Sequence, residues 1–283
     1  MQIKTVGVLG CGLMGSGIAQ VCAAAGYKTI VREVDEIALD KGLGRIRKFL
    51  DDGVAKGKVS ADARDKTLGG LSGTTTFSGL GECDLVIEAI IENLEDKRQA
   101  YAALEKIVRP DTLFVSNTSS LCITELAAAS SRPDRFGGLH FFNPVPLMKL
   151  VEVIRALTTS DETYQTVYAF ARSLGKEPIT APDRPGFIVN RLLLPYLLDA
   201  IRAYENGLGT LDDIDKGMNL GCGYPMGPFT LLDFVGLDTT YFIANIMFEE
   251  FREPQYAPPP LLKRMVLAGR LGKKTGQGFY SYA

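Results

Sequence analysis

The stretch Gly10-Cys11-Gly12-Leu13-Met14-Gly15 constrains this chain more than any other, because it stands between two elements of opposite character. Ile3 to Leu9 reads as a strand, and Ser16 to Ala25 has helical composition. Strand, glycine turn and helix in that order open a βαβ unit. Each glycine of a G-x-G-x-x-G turn has its own task. Gly10 permits the turn, Gly12 lets a pyrophosphate approach the backbone, and Gly15 lets the helix pack close to the strand. Unpaired N–H groups at the helix N-terminus then face the phosphates. Gly10, Gly12, Leu13, Met14 and Gly15 are therefore expected to touch a dinucleotide.

The next strand supports that expectation. Tyr27 to Arg32 reads as β, and Glu33 closes it 18 residues beyond Gly15. A carboxylate there can accept from both ribose hydroxyls and repels a 2′-phosphate, which favours NAD over NADP. Arg32 beside it works the other way, since a guanidinium can bind that phosphate.

Composition narrows the class. A chain of 283 residues, 46% apolar and 23% charged, suits two ordinary globular domains. The net charge of −2 lacks the basic footprint of a nucleic-acid binder. Thr5 to Tyr27 carries no charge, but its six glycines fit the phosphate turn better than a membrane span or a signal peptide. The five cysteines are odd in number, widely spaced and without a CxxC pair, so reduced thiols in a cytoplasmic protein, with neither disulfide framework nor zinc site, are expected.

The only histidine, His140, lies in an apolar run, Phe136 to Phe142, followed by the loop signal Asn143-Pro144-Val145-Pro146 and a second strand-like run that contains Glu152. A strand returning beside the first would bring carboxylate to imidazole, fix the ring's tautomer and favour the imidazolium. The pair would be a general base. The bland alternative is a satisfied core histidine. Leu85 to Ala89 reads as a buried strand, Glu92 to Val108 as a helix with Glu92 and Lys97 at its start, and Leu113 to Val115 as a strand running into Ser116-Asn117-Thr118-Ser119-Ser120. In an open parallel sheet ligands bind outside the carboxyl ends of the strands, which is where these polar groups fall.

Asp35 to about Lys58 reads as a long helix, and Lys41 to Lys66 holds eight basic residues against four acidic ones. Lys56 and Lys58 near its end are either a solvated face or a handle for a polyanion. A helix from Asp161 to Leu174 precedes the break at Ala181 to Gly186, where the domain boundary is placed. The divided ranges are 1–183 and 184–283. Beyond the boundary Phe187 to Asn206, Asp212 to Leu220, Gly227 to Val235, Leu237 to Phe251 and Pro260 to Ala268 all read as helices. The fold class is thus α/β, a Rossmann-type domain followed by an all-helical one.

With these motifs together, the chain resembles the short-form L-3-hydroxyacyl-CoA dehydrogenases over essentially its whole length, including Gly223-Tyr224-Pro225-Met226-Gly227-Pro228 and the closing Gly276-Gln277-Gly278-Phe279-Tyr280. The resemblance implies an NAD-binding domain, a helical domain that dimerises, an acyl-CoA substrate such as acetoacetyl-CoA or 3-hydroxybutyryl-CoA, and a cleft between the domains. It makes His140 the catalytic base, Glu152 its partner, and Ser119 and Asn190 the groups that hold the reacting oxygen and the thioester. Glu92, Lys97, Asn117, Asn143 and Lys274 fall at matching cofactor positions. Glu33 departs from the commoner Asp, and Lys56 and Lys58 align only loosely with a CoA-binding helix. Two alternatives stand beside it. A 3-hydroxyisobutyrate type of dehydrogenase relies on lysine and takes the free acid, and a crystallin-like relative has no enzymatic role.

Overall fold

The computed structural model describes residues 2–282, so the outermost residues of the two expected ranges, 1 and 283, lie outside it. The chain divides into two compact units, Met1–Arg184 and Pro185–Ala283, with the division between Arg184 and Pro185.

The first unit is built on one eight-stranded sheet with the order β3-β2-β1-β4-β5-β6-β7-β8. Strands β1 (Thr5–Leu9), β2 (Lys28–Arg32), β4 (Leu85–Glu88), β5 (Leu113–Ser116) and β6 (Phe136–Phe141) run parallel. All four residues of β4 and of β5 and all six of β6 are buried, the mark of strands covered by helices on both faces. β7 (Leu150–Arg155) returns antiparallel to β6, and β8 (Glu177–Pro182) runs parallel to β7. The sheet order reverses between β1 and β4, which opens a crevice at their carboxyl ends.

Helices cover the sheet for reasons visible in the chain. α1 (Leu13–Ala24) is almost wholly buried. α2 (Glu36–Ala55) begins at Asp35, whose side chain accepts from the Ala38 N–H at 2.7 Å, and buries Leu39, Gly42, Ile46 and Leu50 along one stripe. It stops at Ala55, three residues before the expected end at Lys58, and Lys56 is its C-terminal cap. α4 (Leu94–Glu105) starts after Asn93, which caps the Asp96 N–H, so Glu92 stands before the helix rather than in it. α6 (Asp161–Ser173) is capped by Ser160 and packs beneath the β6–β7–β8 end of the sheet.

Four elements of this unit depart from the sequence reading: β3 (Leu71–Thr74), β8, α3 (Ala61–Gly69) and α5 (Ile123–Ala128). The two strands are the two edges of the sheet. β8 carries Pro178 and Pro182, which an edge strand tolerates because one side needs no ladder donors.

The second unit is helical, with α7 (Val189–Glu205), α8 (Leu211–Cys222), α9 (Pro228–Val235), α10 (Leu237–Phe251) and α11 (Pro260–Leu267). Leu194, Leu197, Leu198, Ile201, Phe229, Leu232, Met247 and Leu262 form its own core. Among the described residues its only β pairing is two isolated bridges at Gly272, Gln277 and Ser281. No single helix in the described residues is long and apolar enough to cross a membrane; α9 and α10 pass that test only as a pair bent by 93°.

Candidate active site

The antiparallel return of β7 decides the site. His140 and Glu152 are directly opposed in the β6–β7 register, so both side chains emerge on one face of the sheet. His140 Nδ1 lies 2.7 Å from Glu152 Oε2. Glu152 is fully buried and His140 is 6% exposed, with the Phe142 ring 4.6 Å from the imidazole. A carboxylate on Nδ1 makes that nitrogen the donor and leaves Nε2 with the lone pair. The arrangement is that of a base oriented by an acid.

At the opposite side of the crevice the glycine turn has the form its spacing requires. Gly10 has φ +87°, and a Cβ there would lie 2.7 Å from the Ala89 carbonyl. A Cβ on Gly15 would collide with the Gly10 carbonyl, so helix and turn touch. Gly12 is different, because a Cβ on it would meet nothing within 4 Å. Its bareness leaves room for a ligand rather than for packing. The first turn of α1 holds no acid, so the positive end of the helix is not neutralised there.

Glu33 sits at the end of β2, where Oε1 accepts from the Cys11 N–H at 2.6 Å and Oε2 from the Val34 N–H at 2.9 Å. Arg32 places its guanidinium 4.2 Å from the centre of the Phe77 ring. Gly10, Gly12, Leu13, Met14, Arg32, Glu33, Phe77 and Ile90 line one cavity of about 840 Å³. Asp96 lines it as well, and its size, its bare glycine and the carboxylate at the end of β2 fit a dinucleotide.

Between these two ends lies a buried polar cluster. Glu88, fully buried at the end of β4, accepts from Lys97 Nζ at 2.6 Å, Ser116 Oγ at 2.6 Å and the Ile90 N–H at 2.8 Å. Glu92 accepts from Lys97 Nζ at 3.1 Å, the Ser119 N–H at 3.0 Å, Ser120 Oγ at 3.2 Å and the Thr118 hydroxyl. Burial pushes the Glu92 carboxyl up, but the Lys97 charge and these donors outweigh it and hold the group below its ordinary range.

The expected site residues take varied places. Ser119 is half-buried with its N–H given to Glu92, and Asn117 Oδ1 accepts from the Phe141 N–H at 2.9 Å. Asn143 is exposed, joined to Pro144 by a cis peptide. Lys97 has a side chain that is 1% exposed, with its ammonium ion-paired to Glu88 and Glu92. Lys56 and Lys58 are exposed beyond the end of α2. In the second unit, Asn190 lies in the first turn of α7, and Lys274 is ion-paired with Asp238 at 2.6 Å. The strand reading passed over Glu88. The available signal was an acid closing an apolar run, with a lysine nine residues on. Among the described residues no group of three or more His, Cys, Asp and Glu could hold a metal, and all five cysteines are free thiols.

Comparison with known proteins agrees with this geometry along the whole chain. The family model for the 3-hydroxyacyl-CoA dehydrogenase NAD binding domain matches residues 5–184, and that for the C-terminal domain matches residues 186–282. The chain is 50% identical over 282 residues to a 3-hydroxybutyryl-CoA dehydrogenase of Mycobacterium tuberculosis, covering 99% of each. It is 49% identical over 288 residues to the mitochondrial hydroxyacyl-coenzyme A dehydrogenase of Homo sapiens, covering 99% of this chain and 91% of that protein. The crystal structure of (S)-3-hydroxybutyryl-CoA dehydrogenase from Ralstonia eutropha superposes with a TM-score of 0.96 at 44% identity over the full length of both.

Proposed function

The chain belongs to the 3-hydroxyacyl-CoA dehydrogenase family, an NAD-dependent oxidoreductase by that membership, and we propose that it interconverts (S)-3-hydroxybutyryl-CoA and acetoacetyl-CoA. The observation that carries the chemistry is the 2.7 Å contact between His140 and Glu152 at the mouth of an NAD-binding crevice.

Bound NAD supplies the hydride chemistry at the substrate's C3. His140 Nε2 takes the proton of the 3-hydroxyl, and in the reducing direction the imidazolium returns it. Glu152 holds the ring and steadies its positive charge without taking the proton itself, as the carboxylate does in the Ser-His-Asp template. Ser119 donates a hydrogen bond where substrate oxygen gains charge, and Asn190 is carried over from the family resemblance as a group for the thioester. Gly10, Gly12, Leu13, Met14 and Gly15 hold the pyrophosphate side of the cofactor and Glu33 its adenosine ribose. Glu92, Lys97, Asn117 and Asn143 belong to the same cofactor site, and Lys274 is carried over from the family resemblance as a cofactor residue. Lys56 and Lys58 meet the anionic end of CoA, a role that their exposure and the basic run around them support.

The helical unit serves as the dimer surface. Leu192, Leu208, Leu220 and Leu267 are each at least 70% exposed and offer apolar side chains for a second copy to cover. The five free thiols support a reducing, cytoplasmic setting.

Initial rates test the substrate assignment. Acetoacetyl-CoA with NADH should be the better pair in a series that includes longer 3-ketoacyl-CoAs, free acetoacetate and NADPH. Equal turnover of free acetoacetate would remove the thioester from the proposal.

A further inference from the structure

The ends of β4 and β5 stand between the glycine turn of β1 and the histidine of β6. Adjacent strands lie about 4.8 Å apart, so the distance across is roughly 14 Å, a span that an extended dinucleotide covers. A cofactor whose pyrophosphate rests on Gly12 and whose reactive ring meets His140 must cross those two strand ends.

What it crosses is not neutral. Glu88, Lys97 and Glu92 form one connected group, two carboxylates around one ammonium, and every hydrogen-bond partner given above for the two acids is a donor. Lys97 needs one counter-ion for its burial, and it has two. Glu88 is fully buried, while Glu92 keeps a quarter of its side chain exposed. The surrounding residues Ala89, Ile90 and Ile91 offer no balancing charge. As a scaffold for the loops after β4 and β5, a single ion pair would have sufficed.

The geometry points to an electrostatic bias on the cofactor's redox state: the surplus negative charge of Glu88, Lys97 and Glu92 stabilises the cationic nicotinamide of NAD+ over the neutral ring of NADH. The inference rests on the hydride being exchanged beside His140, and deepens that reading. It concerns the net charge of the cluster, not one contact, so the sealed Glu88 contributes as well as Glu92. The affinity gap between NADH and NAD+ narrows, and hydroxyl oxidation on the protein becomes easier.

Titration calorimetry on the full chain with NAD+, NADH and ADP-ribose tests this, in the wild type and in Glu92→Gln and Glu88→Gln. A unit charge acting across several ångströms in a half-buried site is worth about tenfold in affinity. Each variant should raise the ratio of Kd for NAD+ to Kd for NADH by about that factor, while contacts that ADP-ribose shares with both cofactors cancel from the ratio. A wild-type ratio in variants that still bind ADP-ribose overturns the inference. So does an effect confined to Glu92→Gln with none from Glu88→Gln, which would assign it to a contact. Should Glu88→Gln fail to fold, Glu92→Asp takes its place: it keeps the charge while moving the contact, so it should keep the wild-type ratio, and a ratio raised as far as in Glu92→Gln overturns the inference. No acyl-CoA enters these titrations, so their outcome is independent of the proposed substrate.

Discussion

Asn117 Oδ1 accepts the backbone N–H of Phe141 at 2.9 Å, and by that bond the end of β5 grips the strand that carries His140. The bond lies beyond the last backbone pairing of β5 with β6, Ser116 opposite Gly138. The side chain thus extends the sheet at the point where a reacting group must be held still. Phe141 is buried, so its N–H would have no water to turn to.

Asn117→Ala should therefore destabilise the chain by about 1–3 kcal/mol, the cost of a buried unsatisfied donor. Urea unfolding measures this, and kcat should fall by more than KM rises, because the loosened group is the base. A variant as stable and as fast as the wild type would make the bond incidental.

Gly12 and Gly15 should separate cofactor space from packing. Gly12 has φ −65°, a conformation open to any residue, and free space around its Cβ position. Gly12→Val should keep the melting temperature near the wild-type value and abolish NADH binding. Gly15→Ala drives a methyl into the Gly10 carbonyl and should cost roughly 1–3 kcal/mol of stability through forced backbone movement. Thermal unfolding followed alongside NADH fluorescence tests both, and a stable, binding-competent Gly15→Ala would contradict the packing role.

Glu33 should set the cofactor preference against the pull of Arg32. With the carboxylate removed in Glu33→Ala, NADH affinity should fall by about 1–2 kcal/mol for lost charge-assisted bonds, and discrimination against NADPH should shrink with it. Comparing Kd for NADH and NADPH measures the shift. An unchanged preference would mean that Glu33 does not set it.

Much of this site is legible in the sequence because it follows from strand ends. Gly10, Glu33 and Asn117 each stand directly after a run whose apolar character marks it as a strand. His140 and Glu152 are legible as a pair because a loop signal separates two strands, which fixes an antiparallel return. What was hidden obeys physics that local pattern does not carry. β3 and β8 are edge strands, one of them polar and the other holding two prolines, so neither shows the apolar run of a central strand. Glu88 is an acid in a fully buried strand, tolerable only because Lys97 folds back from the following helix. Lys97 reads in the sequence as a residue at a cofactor position, and its pairing with Glu88 is a contact that local pattern does not carry.

Glu152→Gln should preserve the fold and lose the chemistry. The amide can still bond to Nδ1 from its buried position, but it no longer balances an imidazolium or dictates the tautomer. A fall in kcat of about 10²–10⁴ is expected, with NADH affinity unchanged. Wild-type kcat in this variant would leave the carboxylate with a packing role only.

The most direct measurement is turnover by His140→Ala with acetoacetyl-CoA and NADH, set beside NADH binding to the same preparation. Removal of the only imidazole should lower kcat by about 10²–10⁴ while the Kd for NADH stays at its wild-type value. Turnover at the wild-type rate by a correctly folded His140→Ala would contradict the assignment of His140 as the base.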